Sequence, residues 1–129
     1  MGLSISDRTQ SIASNYATLQ KKKFSVFSFD LKSIIDKEIV CGIVIGLPLN
    51  MDGSEGTRCQ STRAFARNIN KFQDFPITFW DERLSTVAAE KALLEADTTR
   101  KRRTEVIDHV AAAYILQGFL DRLKVLGSF

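Results

Sequence analysis

Cysteine, proline and histidine are scarce in this 129-residue chain, with two, two and one residues respectively. Cys41 and Cys59 lie far apart and match no metal-ligand spacing. Both are expected to be small buried hydrophobes. His109 follows Asp108, which invites a general-base assignment, but neighbouring helix residues point about 100° apart. A surface or satisfied, partly buried histidine is the expectation. Long apolar runs are also missing: none approaches the roughly 18 to 20 residues of a membrane-spanning helix. The N-terminus carries no basic-then-apolar signal pattern, so a cytoplasmic location is expected, with no membrane partner. Internal repeats, low-complexity tracts and long linkers are absent too, so residues 1–129 are expected to form one domain.

What is present is an ordinary globular composition, 44% hydrophobic and 26% charged, which excludes the disordered classes. A chain of this length is about one domain, able to bury one core. The net charge of +3 is modest but unevenly spread. Arg58, Arg63, Arg67 and Lys71 fall in a stretch without acids, and Arg100, Lys101, Arg102 and Arg103 form a second block. Both blocks attract anions, and each is either a solvated face or a contact for nucleic acid. The second is the more pointed, because four bases at a helix start oppose the helix dipole and bound phosphate would compensate.

The order of elements is legible from periodicity. Gly2 to Ser6 alternates apolar and polar residues as a half-buried strand does, and Ile12 to Leu19 reads as a weaker strand. A basic turn at Lys21 to Lys23 and an extended Phe24 to Phe27 are expected next. A helix then runs from Phe29 to Glu38, capped by Ser28, with Leu31, Ile34 and Ile35 on one face. Cys41 to Leu47 is apolar on both faces, the pattern of a central parallel strand. Pro48 ends its ladder because proline cannot donate. A helix from Thr57 to Phe72 buries Phe65, Ile69 and Phe72, with Arg63, Arg67 and Lys71 on the other side. Pro76 opens a strand at Ile77 to Trp80, Thr86 to Ala96 is a helix, and a last helix spans Thr99 to Leu123. Strand, helix, strand, helix is the pattern of parallel crossover units, whose ligands gather beyond the carboxyl ends of the strands.

Two motifs occupy those ends. The strand at Ile77 closes on Asp81-Glu82-Arg83. Successive residues leaving a strand point to opposite sides, so one carboxylate faces a given site: Glu82 is the metal-facing candidate, with Asp81 supporting it or turning the chain. Arg83 would neutralise an acid or hold a phosphate bidentately; the plainer alternative is that Asp81 or Ser85 caps the following helix. The other strand opens into Asn50-Met51-Asp52-Gly53-Ser54-Glu55-Gly56, a weak phosphate-loop signal because Asp52 and Glu55 repel an anion unless a metal intervenes. Asp108 lies on an apolar helix face with Ala111, Ala112 and Ile115. A carboxylate there needs a divalent metal, a neighbouring arginine, another donor or a proton.

Gly46-Leu47-Pro48-Leu49-Asn50-Met51-Asp52-Gly53-Ser54-Glu55-Gly56, then Asp81-Glu82-Arg83-Leu84-Ser85-Thr86, then Asp108 with Ala111-Ala112, closely resemble the YqgF family. Its members are described as Holliday-junction-resolvase-like proteins and pre-16S rRNA nucleases. The resemblance implies an RNase H-like α/β fold, a mixed sheet with helices on both faces. It implies a metal-dependent nuclease using Mg²⁺ or Mn²⁺, with Asp81, Glu82 and Asp108 as catalytic acids and Glu82 and Asp108 as metal ligands. The implied partner is structured RNA, or branched DNA, held by Arg58, Arg63, Arg67, Lys71, Arg83, Arg100, Lys101, Arg102 and Arg103; a homodimer is a further expectation. The alternatives are a non-catalytic RNA-binding or ribosome-assembly module of the same fold and a junction-resolving DNA endonuclease. One departure stands out: the family opens with an Asp-x-Gly-x-Lys-Arg strand that supplies the first metal ligand, whereas Met1 to Asp7 matches the strand after it. The fold is therefore expected to be shortened at its N-terminus, and Asp7 is not expected to substitute.

Overall fold

The computed structural model describes residues 1–19, 23–72, 74–84 and 100–126, excluding the side chains at 72, 84 and 100–110. Apolar alternation at the start of the chain forms a hairpin: β1 (Gly2–Ser6) pairs antiparallel with β2 (Ala13–Thr18), from Gly2 opposite Thr18 to Ser6 opposite Ala13. Asp7 closes the connecting turn, its carboxylate accepting from the backbone N–H groups of Ser11 and Ile12 and from the Thr9 hydroxyl. These donors hold the Asp7 carboxyl below its ordinary range.

Helix α1 (Phe24–Glu38) starts five residues earlier than its polar pattern suggests. Phe24 and Phe27 are helical rather than extended because both rings pack on Phe65, at 6.0 and 5.4 Å between centroids, and residues three apart share a helix face. Ser28 is correspondingly buried inside the helix and caps nothing. The helix ends on Ile39 in a left-handed conformation, φ 54°, whose N–H donates to the Ile35 carbonyl.

The apolar run at 41–47 and the run after Pro76 form β3 (Ile43–Leu47) and β4 (Ile77–Asp81), paired parallel from Ile43 beside Ile77 to Leu47 beside Asp81. Helix α2 (Thr57–Phe72) makes the crossover between them. Its buried stripe is Cys59, Ala66 and Ile69. Cys41 is exposed, contrary to expectation, because it precedes the first paired residue of β3. A single 3-10 turn, Glu82–Leu84, follows β4. The expected helix at Thr86 to Ala96 lies outside the described residues.

Helix α3 (Arg100–Val125) packs on β1, β2 and β3. Its apolar middle is partly covered from 111 to 119, and Leu120 is buried. Polar contacts fix its placement on the hairpin: the Ser4 hydroxyl donates to the Ala112 carbonyl at 2.7 Å, and the Gln117 side chain accepts from Ala13 N–H and donates to the Ser11 carbonyl. Gly118 lets α3 close onto β4, since a Cβ there would stand 3.2 Å from the Trp80 ring. The antiparallel and parallel strand pairs form separate two-stranded sheets among the described residues, and α3 lies against both.

Side chains alternate along a strand, which decides what each helix covers. Gly46 and its neighbour Trp80 face α3, through Ile115, Gly118 and Phe119. Phe79, one residue earlier, faces α2, where the Arg63 guanidinium lies 4.9 Å from its ring centre. The parallel pair is thus covered by helices on both faces.

Candidate active site

The carboxyl end of the parallel pair gathers the polar motifs, and alternation separates the two acids there. Asp81, still paired in β4, turns to Arg83. Glu82, the next residue, turns the other way and folds back over Gly46: a Cβ built on Gly46 would lie 2.7 Å from Glu82 Oε1 and 3.1 Å from its Cγ. The same imaginary Cβ would lie 2.6 Å from Ile115 Cδ1, so the Glu82 side chain and α3 occupy one face of the strand end. Only glycine leaves room for both. A glycine inside an apolar strand is the signal that could have revealed this close approach from the sequence.

Asp108 stands on α3 seven residues before Ile115, two helical turns and about 10 Å along the axis. The helix that carries it is therefore the one laid beside Glu82. The side chains of Asp108 and His109 lie outside the described residues. Arg100, Lys101, Arg102 and Arg103 do form the first turn of α3, which contains no acid, and their side chains also lie outside the described residues.

Asp81 and Arg83 form the best-defined ion pair of the site. The Arg83 Nε donates to both Asp81 oxygens at 3.1 Å and its Nη2 to Oδ2 at 2.7 Å. Asp81 Oδ1 also accepts the Arg83 backbone N–H at 2.9 Å, which turns the chain into the 3-10 segment as a short cap would. The Arg83 guanidinium holds the Asp81 carboxyl below the usual carboxylate range, and the Asp81 carboxylate in turn raises the Arg83 pKa. The remaining Arg83 nitrogen, Nη1, donates to the Met51 carbonyl at 3.2 Å. Sequence reasoning missed that last contact because it joins residues 32 positions apart.

The 50–56 loop is closed on itself. Asn50 N–H donates to the Ser54 carbonyl, Gly53 N–H to the Asn50 carbonyl, and Asn50 Nδ2 to Ser54 Oγ. Asp52 Oδ1 accepts both the hydroxyl and the N–H of Ser54, which lowers the Asp52 pKa. Gly53 takes φ 88°, a conformation that L side chains resist. Asp52 therefore spends its carboxylate on its own turn.

The basic residues separate. Arg58 is exposed in the first turn of α2, next to the loop. Arg67 and Lys71 are exposed as well, but α2 runs back along the strands, so Lys71 lies about 20 Å down its axis from Arg58. Arg63 is not a freely solvated charge: it pairs with Glu55 and stacks over Phe79, on the face opposite Glu82.

Among the described residues no three or more of His, Cys, Asp and Glu cluster as a metal site would require. Glu82 carries one carboxylate at this strand end, and Asp108 stands on the helix whose Ile115 packs on the same face. These residues fit a divalent metal in donor chemistry.

A hairpin, a parallel pair ending in acids, and a helix laid across both make an α/β arrangement of the kind found in RNase H-like proteins. The family model described as RuvX, Holliday junction resolvase, matches residues 1–122, and the chain belongs to that family, also called YqgF. A protein of Ruegeria pomeroyi named "Putative pre-16S rRNA nuclease" is 64% identical over 126 residues, covering 98% of this chain and 82% of the relative. Proteins of the same name from Ruegeria sp. and Roseobacter denitrificans are each 62% identical over 128 residues, covering 99% and 98% of this chain and 82% and 78% of theirs. Among the described residues no helix is long and apolar enough to cross a membrane.

Proposed function

We propose that this protein is a metal-dependent endonuclease acting on structured RNA, with pre-16S rRNA as its substrate, and that residues 1–129 work as a single RNase H-like domain in the cytoplasm. The observation that carries this reading is the Glu82 carboxylate folded over Gly46 beneath Ile115, on the helix that bears Asp108. Family membership and the names of the relatives support the same chemistry.

In this mechanism Glu82 and Asp108 would hold Mg²⁺ or Mn²⁺, which would supply Lewis acidity at the scissile phosphodiester. The chain's own contribution is placement. Gly46 and Ile115 restrict where the Glu82 carboxylate stands, and Asp81 stays turned away in its pair with Arg83. Arg58, next to the loop, and the Arg100 to Arg103 turn of α3 bind the backbone phosphates, an interaction that weakens steeply with salt. Arg67 and Lys71 extend that contact along α2.

The test is cleavage of a pre-16S rRNA fragment and of a four-way DNA junction in Mg²⁺ or Mn²⁺, with Glu82→Gln and Asp108→Asn beside the parent protein. Cleavage of the RNA by the parent, lost in both variants and on chelation, is the expected result. Cleavage confined to the junction would reassign the substrate. Salt-dependent binding with no cleavage would make the protein an RNA-binding or ribosome-assembly module.

A further inference from the structure

We infer that Arg83 is a positioning residue that clamps the 50–56 loop to the end of β4, and is not itself a contact for phosphate. The inference rests on the nucleic-acid function proposed above, and it assigns Arg83 a role different from that of the other bases. Its guanidinium is engaged on two sides. Nε and Nη2 hold the Asp81 carboxylate in a fork, while Nη1 reaches the Met51 carbonyl. Its nitrogens also pack against Gly53, where an added Cβ would lie 3.6 Å from both Nη1 and Nη2.

Three separate features of the loop meet this one group. The loop is closed internally by Asn50, Asp52 and Ser54, so a tie to one of its residues reaches the others. The hydrogen bond from Arg83 to the Met51 carbonyl ties the loop to the segment containing Glu82. The loop also leads directly into the first turn of α2, which carries Arg58. Fixing it to β4 therefore sets the spacing between Glu82, on one side of Arg83, and Arg58, on the other. A planar fork with donors on two edges makes both attachments at once; an ammonium, with its three donors on one atom, cannot reproduce the bidentate grip on the carboxylate while reaching the carbonyl from another edge.

The clamp and a phosphate contact predict opposite results for the partner acid. If Arg83 held phosphate, Asp81→Asn would free it and tighten binding. If Arg83 is a clamp, Asp81→Asn and Arg83→Gln produce the same loss, and the double variant is no worse than either single one.

The experiment combines amide hydrogen exchange at Met51 to Ser54 with the salt dependence of binding to a pre-16S rRNA fragment, for the parent, Asp81→Asn, Arg83→Lys, Arg83→Gln and the double variant. Loop exchange should rise about tenfold in every variant, while log K against log salt keeps the parent's slope. Arg83→Lys should behave like Arg83→Gln, since charge without the fork does not restore the clamp. The inference is overturned if loop protection survives Arg83→Gln, if the slope falls by about one in that variant, or if Asp81→Asn binds more tightly. A parent protein that neither binds nor cleaves the RNA would remove the proposed function, and loop exchange would still decide whether Arg83 is the clamp.

Discussion

Replacing Gly46 by alanine is the sharpest test of how the site is built. The new methyl would be placed 2.6 Å from Ile115 Cδ1, 2.7 Å from Glu82 Oε1 and 3.1 Å from Glu82 Cγ. Carbon atoms rest about 3.5 to 4.0 Å apart, so both side chains must retreat by roughly 1 Å. The two closest atoms are ends of flexible side chains, which puts the stability cost near the low end of the ~1 to 3 kcal/mol typical of overpacking. For a chain of this size a loss of about 1 kcal/mol corresponds to a fall in Tm of about 4 °C. The effect on cleavage is expected to be larger, because a misplacement of about 1 Å in a reacting constellation can cost about 100-fold. Thermal unfolding followed by circular dichroism, paired with the RNA cleavage assay, separates the two effects. Adding Ile115→Val to Gly46→Ala removes one clashing methyl, and should recover part of the Tm without recovering cleavage. Unchanged Tm and full cleavage in Gly46→Ala would refute the geometry. Full recovery of cleavage by Ile115→Val would refute the role given to Glu82.

Two further predictions follow from the backbone and from charge. Ile39 is a β-branched residue in a left-handed conformation and is 86% exposed, so its side chain returns little for the strain. Ile39→Gly should raise stability by about 1 kcal/mol, measured by urea unfolding, and a loss of stability would contradict the assigned conformation. Asp81 has a folded-state pKa lowered chiefly by Arg83. Its contribution is therefore complete above the unfolded carboxyl value, near pH 4, and fades as pH falls through the lower folded value. Urea midpoints between pH 6 and 2 should show Asp81→Asn flattening that acid limb; an unchanged limb would mean that the pair is not formed in solution.

Much of the scaffold was legible because it rests on local periodicity. Gly2 to Ser6, the helix from Thr57 to Phe72 and the strand opening at Ile77 stand where alternation and helical spacing put them. The divergence of Asp81 and Glu82 also followed from strand geometry alone. The start of α1 did not: Phe24 and Phe27 gain their helical conformation from Phe65, some 40 residues away, which no local pattern encodes. The surroundings of Arg63 were hidden for a similar reason, since its partners Glu55 and Phe79 come from a loop and a strand brought to it by folding.

By itself the amino-acid order determined which elements form and which residue types end the parallel strands, because φ/ψ preference and hydrophobic period act over a few residues. Tertiary structure alone decided that Gly46 must stay bare, that Ile115 and Glu82 share one face, and that Arg83 is spent on Asp81 and the Met51 carbonyl. Those outcomes depend on the packing of α3 against the sheets and on the path of the loop. Contacts between residues tens of positions apart arise only when a chain closes on itself, and the approaches of Glu82 and Ile115 to Gly46 and of Arg83 to Met51 are such contacts.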